Sequence, residues 1–85
     1  MSYTFVFSSR ARDDIEALDP SIKKRLKKKL EFFARHGDIT TFAKKLTNQK
    51  VGQFRIRIGD YRMIFDRQGK ILSVLRVQHR SIIYK

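Results

Sequence analysis

From Phe54 to Arg62 the chain alternates apolar and basic residues around one Gly-Asp pair, reading Phe-Arg-Ile-Arg-Ile-Gly-Asp-Tyr-Arg. A period of two marks a strand with one buried face. Gly59-Asp60 is a two-residue turn with glycine first, which suits a hairpin of the II′ kind. No other stretch constrains the fold so tightly, because a tight turn fixes the register of both strands. Ile58 then faces Tyr61, Arg57 faces Arg62, Ile56 faces Met63 and Phe54 faces Phe65. One face becomes Phe54, Ile56, Ile58, Tyr61, Met63 and Phe65; the other carries Arg55, Arg57 and Arg62. Like charges on adjacent strands repel, so a face that gathers guanidiniums is expected to bind an anion. A solvated polar sheet face is the plainer alternative.

The flanking segments supply what the hairpin packs against. Tyr3 to Phe7 reads as a short apolar strand. Ser8 and Ser9 can cap a helix running to about Leu18, with Ala11, Ile15 and Leu18 on one face. Asp19-Pro20 restarts the chain as N-cap and first helical position. The helix that follows runs to about Arg35 on a stripe of Ile22, Leu26, Leu30 and Phe33, with Lys23, Lys24, Lys27 and Lys28 outward. Gly37 is its C′ residue and His36 a capping charge at its C-terminal end. Residues 38–52 are less regular, with Phe42 and Leu46 anchoring a short helical turn.

Hairpin strands are expected near 53–58 and 61–66. Asp66-Arg67-Gln68-Gly69 then has the makings of a type I turn, in a three-residue loop with a G1 bulge, ahead of a last strand from Lys70 to Val77. That register puts Ile71, Leu75 and Val77 in the core and Leu72, Val74 and Arg76 on the arginine face. A two- or four-residue loop reverses it. The order is β-α-α-β-β-β: an α+β fold, one domain over residues 1–85, with a helical hairpin on one face of a small, mostly antiparallel twisted sheet.

The formal net charge is +12 over 85 residues, which speaks to partners rather than fold. Nucleic acid, an acidic protein, or both are the expected companions. There is no cysteine, so neither disulfides nor thiolate chemistry enter. The N-terminal residues lack the basic start and long apolar run of a signal peptide, and no apolar stretch approaches a membrane span. A soluble, cytoplasmic protein is expected. The acids Asp13, Asp14, Glu16, Asp19, Glu31, Asp38, Asp60 and Asp66 are scattered along the chain, so no metal site and no cofactor are expected.

Phe54–Arg62 continues into Met63-Ile64-Phe65, and the chain ends on Val77-Gln78-His79-Arg80 with Tyr84 four residues later. The opening Ser-Arg-Ala-Arg-Asp-Asp-Ile-Glu-Ala-Leu-Asp after the first strand, and Lys45-Leu46 ahead of the hairpin, complete a pattern spread over essentially the whole chain. In these features it resembles the RelE/ParE superfamily of toxins from toxin–antitoxin pairs. The resemblance implies a RelE-like, microbial-ribonuclease-like fold and a metal-independent endonuclease that cuts messenger RNA on the ribosome. It also implies neutralisation by a usually acidic antitoxin, in a heterodimer or heterotetramer. ParE-like toxins share the fold but inhibit DNA gyrase.

By that resemblance Arg62, Arg80, Tyr84 and His79 are the candidate catalytic residues. Arg55, Arg57, Arg76, Lys23 and Lys27 are the candidate RNA-binding ones. Cutting RNA without a metal needs a base for the 2′-hydroxyl, cations for the phosphorane and an acid for the 5′-oxygen. Guanidiniums suit the second task because their fork bonds two oxygens. The base is open between Tyr84 and His79: free imidazole titrates near pH 6.5 and phenol near 10, while surrounding arginines lower a phenol's pKa. Three readings stand: an mRNA endonuclease, a gyrase inhibitor without catalysis, and a plain nucleic-acid-binding module. The last calls for stacking aromatics on the arginine face, where the strands carry none.

Overall fold

The structure, a computed structural model, describes residues 3–35, 37–47 and 50–83. Strand β1 (Thr4–Phe7) leads into helices α1 (Ser9–Glu16) and α2 (Pro20–Arg35). A 3₁₀ turn over Ile39–Phe42 precedes β2 (Ala43–Lys45), then β3 (Phe54–Ile58), β4 (Tyr61–Gln68), β5 (Ile71–His79) and a terminal turn of helix, α3 (Arg80–Ile83). The strands form one open sheet in the order β1-β5-β4-β3-β2, antiparallel except where β1 runs parallel to β5. This is the expected α+β architecture with two additions, β2 and α3.

Local signals explain the helices. Ser8 caps α1, its hydroxyl accepting the Ala11 N–H at 3.0 Å, which satisfies one of the amides that a helix start leaves open. Pro20 opens α2 in the position where its missing N–H costs nothing. Gly37 follows with φ +64, the left-handed conformation of a C′ glycine; His36, read as a capping charge, lies outside the described residues. The helices bury Ala11, Leu26 and Phe33 against Ile56, Ile58, Met63, Phe65, Leu72, Val74 and Val77 of the sheet.

The β3–β4 hairpin has the register read from its turn, with Ile58 opposite Tyr61 and Phe54 opposite Phe65. The Phe54 and Phe65 rings stack at 5.4 Å. Gly59 has φ +60 and Asp60 does not take a positive φ, the sign pattern of a II′ turn.

The β4–β5 connection differs from expectation. Gln68 pairs with Ile71, so Gly69-Lys70 is itself a two-residue turn, again with glycine first at φ +60. Asp66 does not start a turn; its carboxylate accepts the Gln53 N–H at 2.8 Å. The shorter loop inverts the faces: Leu72 and Val74 are fully buried in the core, while Ile71 is 49% exposed. The register then shifts between Ile64 and Phe65, where Phe65 pairs with Val74 but Ile64 pairs with Arg76. This bulge at Leu75 resets the phase, so Val77 also reaches the core, as expected, by a different route.

Candidate nucleic-acid interface

β5 outruns β1, and beyond Phe7 its outer edge is closed by α1. Ser8 donates from its amide to the Val74 carbonyl at 3.0 Å and from its hydroxyl to the Leu75 carbonyl at 2.9 Å. Asp14 accepts the Val77 N–H at 2.9 Å. The same carboxylate takes Arg76, with Nε at 2.9 Å and Nη2 at 3.1 Å. The Asp14 hydrogen bond holds the Arg76 pKa above its ordinary value. Arg76, expected among the phosphate-binding arginines, is thus engaged by a carboxylate at the bulged edge.

The face away from the helices holds Arg55, Arg57 and Arg62, as the alternation requires. It is not uniformly open. Leu46, Thr47, Val51, Arg55, Ile64 and Ile83 line one small hollow of about 150 Å³, so Leu46, Thr47 and Val51, with Ile83 of α3, cover the Arg55–Ile64 row. Gly52 makes this cover possible: at φ +150 it sits where a Cβ would run into Ile64 Cγ2. Ile64 is buried there, on the side opposite the main core.

One row nearer the turn lie Arg57, Arg62 and Gln78, directly opposite one another across β3, β4 and β5. Arg57 is exposed. Arg62 is 8% exposed and donates from Nη1 to the carbonyls of Gly59 and Tyr61, each at 2.9 Å. Its charge is held in place by the hairpin it belongs to, which a freely reaching side chain would not be. Arg80 is exposed at the start of α3, and its amide donates to the Asp60 carbonyl at 2.8 Å, tying α3 to the same turn.

His79 pairs with Tyr61 and therefore lies on the helix-side face, opposite the arginine row. The two rings meet edge to face at 5.3 Å. Its Nδ1 accepts the Ser81 N–H at 3.1 Å and lies 2.9 Å from Ser81 Oγ, so it caps α3. An accepting Nδ1 leaves the neutral imidazole's proton on Nε2. Tyr84, the other candidate base, lies outside the described residues.

Lys23 and Lys27 are also separated from the arginines. With Phe5, Phe7, Ile15, Leu26 and Leu30 they line an open groove of about 630 Å³ between β1, α1 and α2. Lys24 and Lys28, one residue on, fall on a different stripe of α2 beside Arg25 and Lys29, as a turn of 100° per residue dictates. The structure therefore brings Arg57, Arg62 and Arg80 to one end of the hairpin, keeps Arg76 on the same face one row away but engaged by Asp14, and sets His79, Lys23 and Lys27 apart from them. Gln78 and Asp60, which complete the row and its link to α3, were not singled out from sequence. Their signal was the register and the reach of β5.

Residues 5–84 match the family model of the ParE toxin of type II toxin–antitoxin systems, parDE. The chain belongs to this family. It is a toxin of RelE/ParE type, and the solved structures it resembles carry that fold. A chain of the RelBE2 toxin–antitoxin complex from Mycobacterium tuberculosis matches with a TM-score of 0.81 at 28% identity, over 94% of this toxin and 100% of that chain. A chain of the RelB–RelE antitoxin–toxin complex from Methanococcus jannaschii matches at 0.72 and 26% identity, over 93% and 94%. A free mutant of the E. coli toxin RelE matches at 0.70 and 24% identity, over 99% and 92%, a likeness of fold. No curated sequence matches the toxin at a significant level. No helix among the described residues is long and apolar enough to cross a membrane.

Proposed function

We propose that this toxin is a ribosome-dependent, metal-independent endonuclease of messenger RNA, neutralised by a cognate acidic antitoxin. The observation that carries the reading is the cross-strand row of Arg57, Arg62 and Gln78 beside Arg80. Arg57 and Arg80 are exposed to meet a phosphate, and Arg62 is a preset charge between them. Such fixed cations stabilise charge that builds on a phosphorane without reorganising when it forms. The 2′-oxygen attacks the adjacent phosphorus, its proton passes to a base, and the 5′-oxygen leaves with a proton. The products are a 2′,3′-cyclic phosphate and a 5′-hydroxyl end. Tyr84 is the proposed base, since His79 points to the other face with Nδ1 already engaged. The RelB–RelE relatives are complexes with antitoxins, and a net charge of +12 favours an acidic partner.

A second reading is a ParE-like gyrase inhibitor. It is favoured by the family whose model matches and by the placement of His79 away from the arginines. One pair of assays separates them. In a translation extract programmed with a defined message, the nuclease reading expects cuts that need ribosomes; in a supercoiling assay with purified gyrase it expects no inhibition. Intact message together with blocked supercoiling reverses the assignment.

A further inference from the structure

We propose that α2 carries a second nucleic-acid site, a cleft that holds a single strand of RNA away from the arginine row. Ser21, Lys24, Arg25, Lys28, Lys29 and Phe32 line an open cleft of about 540 Å³ on one stripe of the helix. Their spacing of three, four, seven, eight and eleven residues from Ser21 is that of one helical face. Four of these residues are cations, and among the described residues lining the cleft none is acidic. The cleft's one aromatic ring, Phe32, is 41% exposed. Lys29 Nζ lies 5.9 Å from its centroid, and Phe33 and Phe42 meet it edge-on at 5.6 and 5.9 Å. An exposed ring held edge-on by two others in a cleft lined with cations is how sequence-tolerant single-strand binders stack a base while holding its backbone.

Continuity supports the same occupant. A Cβ on Gly59 would lie 2.8 Å from Arg25 Nη1, so the cleft abuts the turn that ends the arginine row. Positive charge then runs from Arg57 around the hairpin end onto α2. The inference rests on the RNA-directed reading for its occupant, and its test does not need cleavage.

The probe is a short, fluorescein-labelled 2′-O-methyl RNA, which lacks the hydroxyl that would attack. Its affinity for the intact toxin is followed by anisotropy across a potassium chloride series. Lys24→Gln with Lys28→Gln is expected to flatten the slope of log K against log salt by about 1.4, two phosphate contacts at roughly 0.7 each. Phe32→Leu, which keeps an apolar contact to Phe33 and Phe42, is expected to weaken binding about 5- to 100-fold. An unchanged slope in the lysine variant overturns the site. So does displacement of the RNA by poly-glutamate at equal charge concentration, which would make the cleft a seat for an acidic protein. Normal RNA binding with no cuts in the translation extract would instead sink the nuclease reading and leave this site standing.

Discussion

Arg62 is 8% exposed, and its Nη1 donates to two carbonyls of its own hairpin. Hydrogen bonds from a charged donor contribute about 1.5–3 kcal/mol each, and losing one partner leaves the other unsatisfied. Arg62→Ala is therefore expected to lower the unfolding free energy by about 2–3 kcal/mol in urea titrations, besides any effect on RNA. Gly52→Ala is expected to cost about 1–3 kcal/mol through overpacking against Ile64 and a positive φ that alanine resists. Asp38 gives a pH-dependent counterpart. Thr40, through its hydroxyl and its amide, holds the Asp38 carboxyl below its ordinary value of 3.8, with Arg67 adding to the effect. A depressed folded value means the contribution is present above the unfolded value and is lost as pH falls through the folded one. Asp38→Asn should flatten the acid limb of the stability curve below about pH 4, measured by chemical unfolding at stepped pH.

The helices and the β3–β4 hairpin were legible in the sequence because each boundary has a chemical marker: Ser8 and Pro20 at helix starts, Gly37 at an end, Gly59-Asp60 at the turn. The β5 register was not. Asp66-Arg67-Gln68-Gly69 and Gly69-Lys70 both carry turn chemistry, and the choice between them depends on Asp66 being drawn to the Gln53 amide, a contact across the fold. Nor does period-two reasoning survive a bulge. Leu72, Val74 and Val77 all reach the core although Val77 differs in parity from the other two, because Leu75 is an added residue whose carbonyl is taken by Ser8. The same shift returns Arg76 to the arginine face, opposite Ile64, where Asp14 engages it. These faces differ measurably in energy. Leu72→Ala, at a site with no exposed surface, is expected to cost about 2–5 kcal/mol. Ile71→Ala, 49% exposed, should stay within roughly 0.5 kcal/mol. Equal losses in thermal or urea unfolding would contradict the observed register.

Across the molecule the two faces of the sheet do different work. One is sealed by α1 and α2 and holds the core, together with Tyr61 and His79 at its margin. The other is divided between a row covered by Leu46, Thr47, Val51 and Ile83, and a row at the hairpin end where Arg57 is exposed. The candidate site was legible in part: Arg57, Arg62 and Arg80 follow from the alternation and the tail pattern. His79 was grouped with them as a candidate base in the same tail pattern, but as the neighbour of Gln78 in β5 it points to the opposite, helix-side face. The most direct test of the nuclease reading maps cuts by primer extension in the translation extract, comparing wild type with Arg57→Ala, Arg80→Ala and His79→Gln. Loss of each exposed arginine is expected to slow cutting on the order of 10²-fold, while His79→Gln retains most of the rate. Full cutting by both arginine variants, or collapse with His79→Gln alone, would contradict the account.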